Sequence, residues 1–167
     1  MTKPHQPRVL VVDDEEDACN NLSDILTDLG YHVDWADNGE KALELVRRTA
    51  YDVALLDLRM PGMDGLTLYR EIKKIRAGTV AILVTAYADG PTFEAALTAG
   101  AWRVMPKPVH MPKLLELVDL AREQPMVLVV DDDRDVCANL WEILRERGYR
   151  VALAHDPAEA VEQLRDA

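Results

Sequence analysis

Short runs of apolar residues alternate with longer amphipathic stretches from Arg8 to Glu123. Runs such as Val9–Val12 and Val53–Leu56 are apolar at successive positions, which is typical of strands covered on both faces of a parallel sheet. The pattern predicts five strands: Val9–Val12, His32–Trp35, Val53–Leu56, Val80–Val84 and Arg103–Met105.

The stretches between these runs carry apolar residues every three or four positions, as amphipathic helices do. Gly30 follows the first stretch as a helix-ending residue, and Asn38 and Asp64 stand where they could cap later helices. The predicted helices are Asp17–Leu29, Gly39–Thr49, Gly65–Arg76, Pro91–Ala99 and Met111–Glu123. Regular alternation of strands and helices predicts an α/β domain with a doubly wound parallel sheet.

The sequence repeats itself at an offset of 118 residues, so that Pro7–Asp14 returns as Pro125–Asp132. Of the 42 pairs from Pro7/Pro125 to Arg48/Asp166, 20 are identical. An offset of this length indicates a duplicated domain. We interpret residues 1–7 as a flexible tail, 8–123 as a complete first copy, and 126–167 as the truncated N-terminal part of a second copy in tandem.

The composition excludes several classes of function. Apolar residues make up 49% and charged residues 29%, and the formal net charge is −11. An acidic chain is poorly suited to nonspecific binding of a nucleic-acid backbone or an anionic membrane, and no apolar run approaches the roughly 20 residues that span a bilayer. Cys19 and Cys137 suggest no disulfide framework. We expect a cytoplasmic protein with no direct nucleic-acid or membrane partner.

Acidic residues directly follow the first and third predicted strands: Asp13 and Asp14 after the first, Asp57 after the third. Ligands of open α/β sheets bind outside the carboxyl ends of the strands, where we expect these carboxylates to converge. Like charges this close need a cation, and an all-oxygen ligand set suits Mg²⁺. Each residue alone is more often a helix cap. Together with Thr85 and Lys107 after the fourth and fifth strands, they indicate a phosphoryl site.

The chain resembles the receiver domain of two-component response regulators over residues 8–123, the whole length of that domain. The resemblance rests on four motifs in order: Val11–Asp14, Asp57–Gly65, Val84–Ala86 and Lys107–Pro108. It implies a flavodoxin-like fold with the strand order 2-1-3-4-5. It also implies a cis peptide bond between Lys107 and Pro108, a form that is realistic only before proline.

The same resemblance implies a role for each site residue. Asp57 is implied to be the phosphoacceptor. Asp13, Asp14, Asp57 and the backbone carbonyl of Arg59 are implied to bind Mg²⁺, and Lys107 to pair with the phosphoryl group. The phosphoryl group would come from a sensor histidine kinase or a phosphotransfer protein. The domain would promote its own phosphorylation and dephosphorylation without being a conventional enzyme, and would switch conformation to regulate a partner or a downstream domain.

One position departs from the family pattern. Receivers usually carry Tyr or Phe three residues before the lysine, as a switch coupled to the threonine, whereas this chain carries Val104. We expect Thr85 to report phosphorylation through its loop and Tyr87 instead. Val104 also favours an alternative, a pseudo-receiver that is never phosphorylated and acts as a protein-interaction module. A small Mg²⁺-dependent phosphatase is a third possibility, but no substrate-pocket elements support it.

The repeated segment carries its own acidic trio, Asp131–Asp133, but the counterpart of Asp57 would be position 175. The pattern predicts strand, helix, strand and helix at Val127–Val130, Arg134–Arg147, Val151–Ala154 and Pro157–Arg165. A segment this short cannot bury enough surface to be stable alone, and its first strand would have an unpaired apolar edge. We expect a homodimer in which two such edges pair across a two-fold axis, or alternatively docking on the chain's own first domain.

Overall fold

The computed structural model describes residues 6–87 and 89–165. Of the expected tail over residues 1–7, residues 1–5 lie outside the described part. The side-chain amide of Gln6 donates to the carbonyl of Gly30 at 2.8 Å, and the carbonyl of Pro7 accepts from the N–H of His32 at 2.9 Å. Contacts with the first domain therefore begin two residues before the expected boundary.

Five strands and five helices alternate in the first part of the chain. They are β1 (Arg8–Val12), α1 (Glu16–Asp28), β2 (His32–Ala36), α2 (Gly39–Arg48), β3 (Val53–Asp57), α3 (Gly65–Ile75), β4 (Val80–Thr85), α4 (Gly90–Thr98), β5 (Arg103–Pro106) and α5 (Met111–Glu123). All strand pairs are parallel, and the sheet has the order β2-β1-β3-β4-β5. The expected flavodoxin-like sheet is confirmed. Each predicted strand and helix begins and ends within one residue of the observed element.

Two apolar cores lie on opposite faces of this sheet. Every residue of β3 and β4 is buried, which explains their unbroken apolar sequences. In β1, Leu10 and Val12 belong to one core while Val9 and Val11 belong to the other, because successive side chains of a strand point to opposite faces. The central strands are thus held from both sides, and their carboxyl ends are fixed platforms for the loops that follow.

The side chains predicted to cap helices do so. Asn38 accepts a hydrogen bond from the N–H of Lys41 at 2.9 Å, and Asp64 accepts one from the N–H of Thr67 at 2.7 Å. Asp64 is the last residue of the loop that connects β3 to α3. Its cap therefore fixes the far end of the loop that begins at Asp57.

The remaining described residues, which we call the C-terminal segment, form β6 (Met126–Val130), α6 (Arg134–Glu146), β7 (Arg150–Ala154) and α7 (Pro157–Arg165). β6 and β7 pair in parallel as a separate two-stranded sheet. The bounds of β6, α6 and β7 equal those of β1, α1 and β2 shifted by 118 residues. Two strands and two helices are nevertheless too few to establish a second copy of the five-stranded fold.

The C-terminal segment docks on the first domain at the amino ends of the strands, the edge opposite Asp57. The guanidinium of Arg150 lies 2.9 Å from the carboxylate of Asp52, and the indole N–H of Trp141 donates to the carbonyl of Ala77 at 3.2 Å. Of the two arrangements expected from the sequence, docking on the chain's own first domain is present in this structure. Among the described residues, β6 pairs only with β7.

Within the described part of the chain, no helix has the length and apolar character needed to cross a bilayer. Cys19 and Cys137 are both free and buried. Burial raises the pKa of the Cys19 thiol to about 11, and the thiol donates to the backbone carbonyl of Asp13 at 3.2 Å. Cys19 is therefore a structural residue that supports the loop after β1.

Candidate functional site

Three carboxylates meet at the carboxyl edge of the sheet. β1 and β3 are paired neighbours, so Asp13 and Asp14 lie beside Asp57. One carboxylate oxygen from each residue lies within 4.8 Å of the others. Asp57 is buried, Asp13 is half-buried and Asp14 is exposed. The buried carboxylate thus forms the floor of the site, with the other two between it and solvent.

Lys107 brings a positive charge to this group. Its Nζ lies 2.8 Å from Oδ2 of Asp13 and 3.3 Å from Oδ2 of Asp57. The backbone N–H of Lys107 donates to the carbonyl of Thr85 at 2.8 Å, which ties the loop after β5 to the end of β4. The Lys107–Pro108 peptide bond is cis, as the resemblance implies. The structure therefore brings Asp13, Asp14 and Lys107 together around Asp57, with the lysine bridging two of the acids.

The two central groups have shifted pKa values. Burial is the main cause that raises the pKa of Asp57 above its ordinary value, and repulsion from Asp13 adds to it. Lys107 and the N–H of Arg59 act in the opposite direction without cancelling the rise. Burial alone would lower the pKa of Lys107, but the hydrogen bond to Asp13 and the charges of both acids raise it. Lys107 is therefore a firmly protonated cation beside a carboxylate that is costly to ionise.

This arrangement predicts that Asp57→Asn raises the free energy of unfolding at neutral pH by about 1 kcal/mol. Because the folded-state pKa of Asp57 is raised, the folded protein binds more protons than the unfolded chain between the ordinary and the raised pKa. Wild-type stability therefore falls as the pH rises through that window, and the asparagine variant escapes this loss. Urea unfolding of both proteins without divalent cations, from pH 3 to pH 8, measures the difference.

The control for this prediction is the low-pH end of the same series. Below the ordinary pKa of an aspartate, Asp57 is protonated in both states, so the advantage of Asp57→Asn should disappear there. A variant that is less stable than the wild type at neutral pH would show that ion pairing with Lys107 outweighs the cost of burying the Asp57 charge.

The acidic group fits a magnesium ion by the chemistry of its donors. Mg²⁺ prefers oxygen ligands and commonly takes one or two carboxylates while keeping several waters. Asp13, Asp14 and Asp57 offer three carboxylate oxygens in one small space, and the exposure of Asp14 leaves room for solvent. The present residues can therefore hold Mg²⁺ without rearranging the strands. The carbonyl of Arg59 remains a predicted fourth ligand.

Thr85 is fully buried at the end of β4. Its hydroxyl donates to the carbonyl of Tyr87 at 3.2 Å and accepts from the N–H of Tyr87 at 3.1 Å. The threonine hydroxyl therefore bonds to both backbone groups of Tyr87 and fixes the start of the loop after β4. Val104, at the position of the usual aromatic switch, is half-buried against one of the two cores.

Sequence reasoning missed a direct contact between the loops after β3 and β4. The guanidinium of Arg59 lies 4.7 Å from the centroid of the Tyr87 ring, a cation–π geometry. The backbone N–H of Arg59 donates to Oδ1 of Asp57 at 3.3 Å. Arg59 therefore touches the buried acid with its backbone and Tyr87 with its side chain. Both residues stood out in the sequence as neighbours of candidate site residues, but only the structure shows that their two loops meet.

An apolar groove of about 610 Å³ adjoins the acids between α1 and α5. Its walls come mainly from apolar side chains of the two helices and the loop before α5, including Leu22, Ile25 and Met111. Asp13, Asp57 and Lys107 also line it. A helix or loop of another protein seated in this groove would bring its own side chains to Asp57.

Comparison with known proteins identifies the family. Residues 9–119 match the family model of the response regulator receiver domain, and the chain belongs to this family. This is the family of the receiver domains of two-component systems, whose members are phosphorylated on an aspartate. A crystal structure of the response regulator TrrA from Thermotoga maritima, in complex with Mg²⁺ and BeF, has a TM-score of 0.63 and 35% identity, covering 70% of this chain and 99% of that one.

Curated relatives extend the match but are longer than this chain. A response regulator receiver protein of Anaeromyxobacter sp. (strain Fw109-5) is 42% identical over 152 residues, which are 91% of this chain and 64% of that protein. The transcriptional regulatory protein ZraR of Klebsiella oxytoca is 39% identical over 109 residues, which are 65% of this chain and 25% of that protein. The chain thus spans less than two thirds of each relative.

Proposed function

We propose that Asp57 is the phosphoacceptor of this receiver domain, and that its donor is the phosphohistidine of a sensor histidine kinase or a phosphotransfer protein. The observation that carries the proposal is the position of Asp57, a buried carboxylate at the centre of the sheet edge. It faces Lys107 at 3.3 Å and lies beside the two other acids. The apolar groove between α1 and α5 supports the choice of a protein donor, because this carboxylate is one of the residues that line it.

In the proposed reaction, a carboxylate oxygen of Asp57 attacks the phosphorus atom while the phosphorus–nitrogen bond to the donor histidine breaks. Mg²⁺ bound by Asp13, Asp14, Asp57 and the carbonyl of Arg59 would supply charge neutralisation at the phosphoryl oxygens. Lys107 gives up its ion pair with Asp57 and pairs with a phosphoryl oxygen. A water molecule later attacks the phosphorus, the bond from phosphorus to the Asp57 oxygen breaks, and inorganic phosphate leaves. The carboxylate is restored, so the switch resets itself.

The same geometry supports a role for Thr85 and Tyr87 in the output. A phosphoryl oxygen near Asp57 competes with the carbonyl of Tyr87 for the hydroxyl proton of Thr85. Loss of that hydrogen bond frees the loop after β4 and changes the environment of the Arg59–Tyr87 contact. The added charge of roughly −1.5 to −2 on Asp57 also changes the electrostatic surroundings of this loop. Regulation of a partner or downstream domain then proceeds from this loop without an aromatic switch at Val104.

We also propose that the C-terminal segment is the opening part of a second receiver unit. Its elements follow the order of β1 to α2, and Cys137 donates to the carbonyl of Asp131 at 3.3 Å, as Cys19 does to Asp13. Its described residues contain no counterpart of Asp57. The outer edge of β6, with which no other described strand pairs, supports the expected homodimer through paired edges. Sedimentation velocity across a concentration series tests it, and a monomer at high micromolar concentration would refute it.

Intact-mass spectrometry tests the proposed function. The full chain is incubated with a small acyl-phosphate donor, with and without Mg²⁺. We expect one phosphoryl adduct per chain that depends on Mg²⁺ and decays at neutral pH. A pseudo-receiver would give no adduct. A phosphatase acting on external substrates would release phosphate from many unrelated phosphoesters, which a receiver domain does not do.

A further inference from the structure

A docking surface for the C-terminal segment lies at the amino ends of β3, β4 and β5, and is formed by Asp52, Lys73, Ala77, Gly78 and Gly100. Its centre is occupied by Trp141, which is 4% exposed. The ring of Trp141 lies 3.6 Å from Nζ of Lys73. A Cβ placed on Gly100 would lie only 2.7 Å from the same ring, so the fit is close. Buried aromatic anchors of this kind dominate the energy of interfaces.

Two arginines complete the contact. Arg145 donates to the carbonyl of Gly100 at 3.0 Å. Arg150 donates to the carbonyl of Gly78 at 3.1 Å and to the carboxylate of Asp52 at 2.9 Å. The Arg150–Asp52 pair is almost wholly buried, with side chains 9% and 10% exposed. Separating such a pair leaves an uncompensated buried charge. The pair therefore favours a single placement of the C-terminal segment relative to the first domain.

The three residues whose side-chain polar groups bond to the docking surface are positions at which the internal repeat diverges. The positions around them include identical pairs, for example Leu22/Leu140, Leu26/Leu144 and Tyr31/Tyr149. The docking residues Trp141, Arg145 and Arg150 correspond instead to Ser23, Thr27 and His32. The fold of the repeat therefore does not require an indole and two guanidinium groups at these positions. They are explained by the surface on which they lie.

Helix α4 connects this docking surface to the candidate site. It begins at Gly90, three residues after Tyr87, whose backbone carbonyl accepts a hydrogen bond from the Thr85 hydroxyl. Gly100 lies two residues after the helix ends. Ala96 is its single buried residue, so the helix has little apolar anchorage of its own. A change in the loop after β4 can therefore shift α4 as a body, and Gly100 with it. The Gly100 carbonyl accepts from the hydroxyl of Tyr69 and from Arg145, both at 3.0 Å.

We propose that the C-terminal segment is a regulated partner of the receiver domain within the same chain, and that phosphorylation of Asp57 loosens its docking by displacing Gly100 from Trp141 and Arg145. The inference rests on the proposed function of Asp57. The direction follows from the fit: contacts this close tolerate no movement of Gly100 without losing packing or hydrogen bonds. Loosening exposes Trp141 and the docking surface together, which makes both available to other partners.

Hydrogen exchange of the full chain with mass-spectrometric detection tests this inference. The protein is compared with and without a small acyl phosphate, both in Mg²⁺, and the intact mass of each sample gives the fraction that carries the adduct. In the phosphorylated protein, peptides from α6 and from residues 99–102 should exchange about fivefold faster or more. Peptides from β1 and β3, in the centre of the sheet, should be unchanged.

Repeat-swap variants supply the matched controls. Trp141→Ser, Arg145→Thr and Arg150→His together install the residues of the first repeat and should give fast exchange in α6 without phosphorylation. Val136→Ala is also a repeat swap, to the residue at Ala18, but it lies on the exposed face of α6 and should behave as wild type. Adduct formation by the triple variant shows that its first domain is folded.

The outcomes are distinct. An adduct at full occupancy with unchanged exchange in α6 overturns the inference and leaves the proposed function intact. Wild-type exchange in the unphosphorylated triple variant also overturns it, because the docking contacts would then hold nothing. Absence of any adduct in the wild type overturns the proposed function and the inference with it.

Discussion

Replacing Lys107 by alanine should slow phosphorylation of the chain by a small acyl phosphate about 100-fold or more. Its Nζ is held 2.8 Å from Asp13 and 3.3 Å from Asp57, at the place where negative charge accumulates when the phosphoryl group arrives. Without it, Asp13 and Asp57 also face each other with no cation between them, so the pKa of Asp57 should rise further. The rate of adduct formation, followed by intact mass, measures the loss.

The matched control is Lys113→Ala on the neighbouring helix α5. Lys113 forms a surface pair with Glu116 at 3.0 Å, away from the acids, so its removal should leave the rate unchanged. If Lys107→Ala is labelled at the wild-type rate, the lysine is a structural partner of Asp13 and takes no part in the transfer.

Asp13→Asn and Asp14→Asn should each weaken Mg²⁺ binding about tenfold or more, because each removes one of the few charged ligands of a largely hydrated ion. The two variants should differ without metal. Asp14→Asn removes like charge and should stabilise the protein, whereas Asp13→Asn also removes the carboxylate that binds Lys107 most closely. Calorimetric Mg²⁺ titration and urea unfolding of both variants measure these effects.

The internal repeat provides the control for this experiment. Asp132 corresponds to Asp14 but lies in the C-terminal segment, so Asp132→Asn should leave Mg²⁺ affinity unchanged. Unaltered titrations in both Asp13→Asn and Asp14→Asn would place the metal site elsewhere in the molecule.

The sheet was predictable because its central strands are buried on both faces and therefore carry unbroken apolar runs such as Val53–Leu56. The helix starts were predictable where a cap acts locally, as Asn38 and Asp64 do. The convergence of Asp13, Asp14 and Asp57 followed from a general rule, that parallel strands end at one edge. These features depend on local sequence or on the topology of the fold.

The contacts that were not predicted join residues that are far apart in the sequence. Hydrophobic periodicity, which predicts single helices and strands, gives no information about such contacts. The Arg59–Tyr87 contact depends on the shapes of two loops from different strands. The burial of Trp141 was missed for a similar reason: docking on the first domain was expected only as an alternative, and nothing local indicates that Ala77 and Gly100 cover this side chain. The signal that could have found it was the divergence of Trp141 from Ser23 within an otherwise closely matched stretch.

The most direct test of the central claim locates the phosphoryl group on the chain. The protein is labelled with an acyl phosphate in Mg²⁺, and the aspartyl phosphate is reduced with borohydride, which converts the modified aspartate to homoserine. Peptide sequencing by mass spectrometry then reads its position. The account predicts homoserine at position 57 alone, and no modification in the Asp57→Asn variant. Homoserine at Asp13, at Asp14 or within Asp131–Asp133, with Asp57 unmodified, would contradict it.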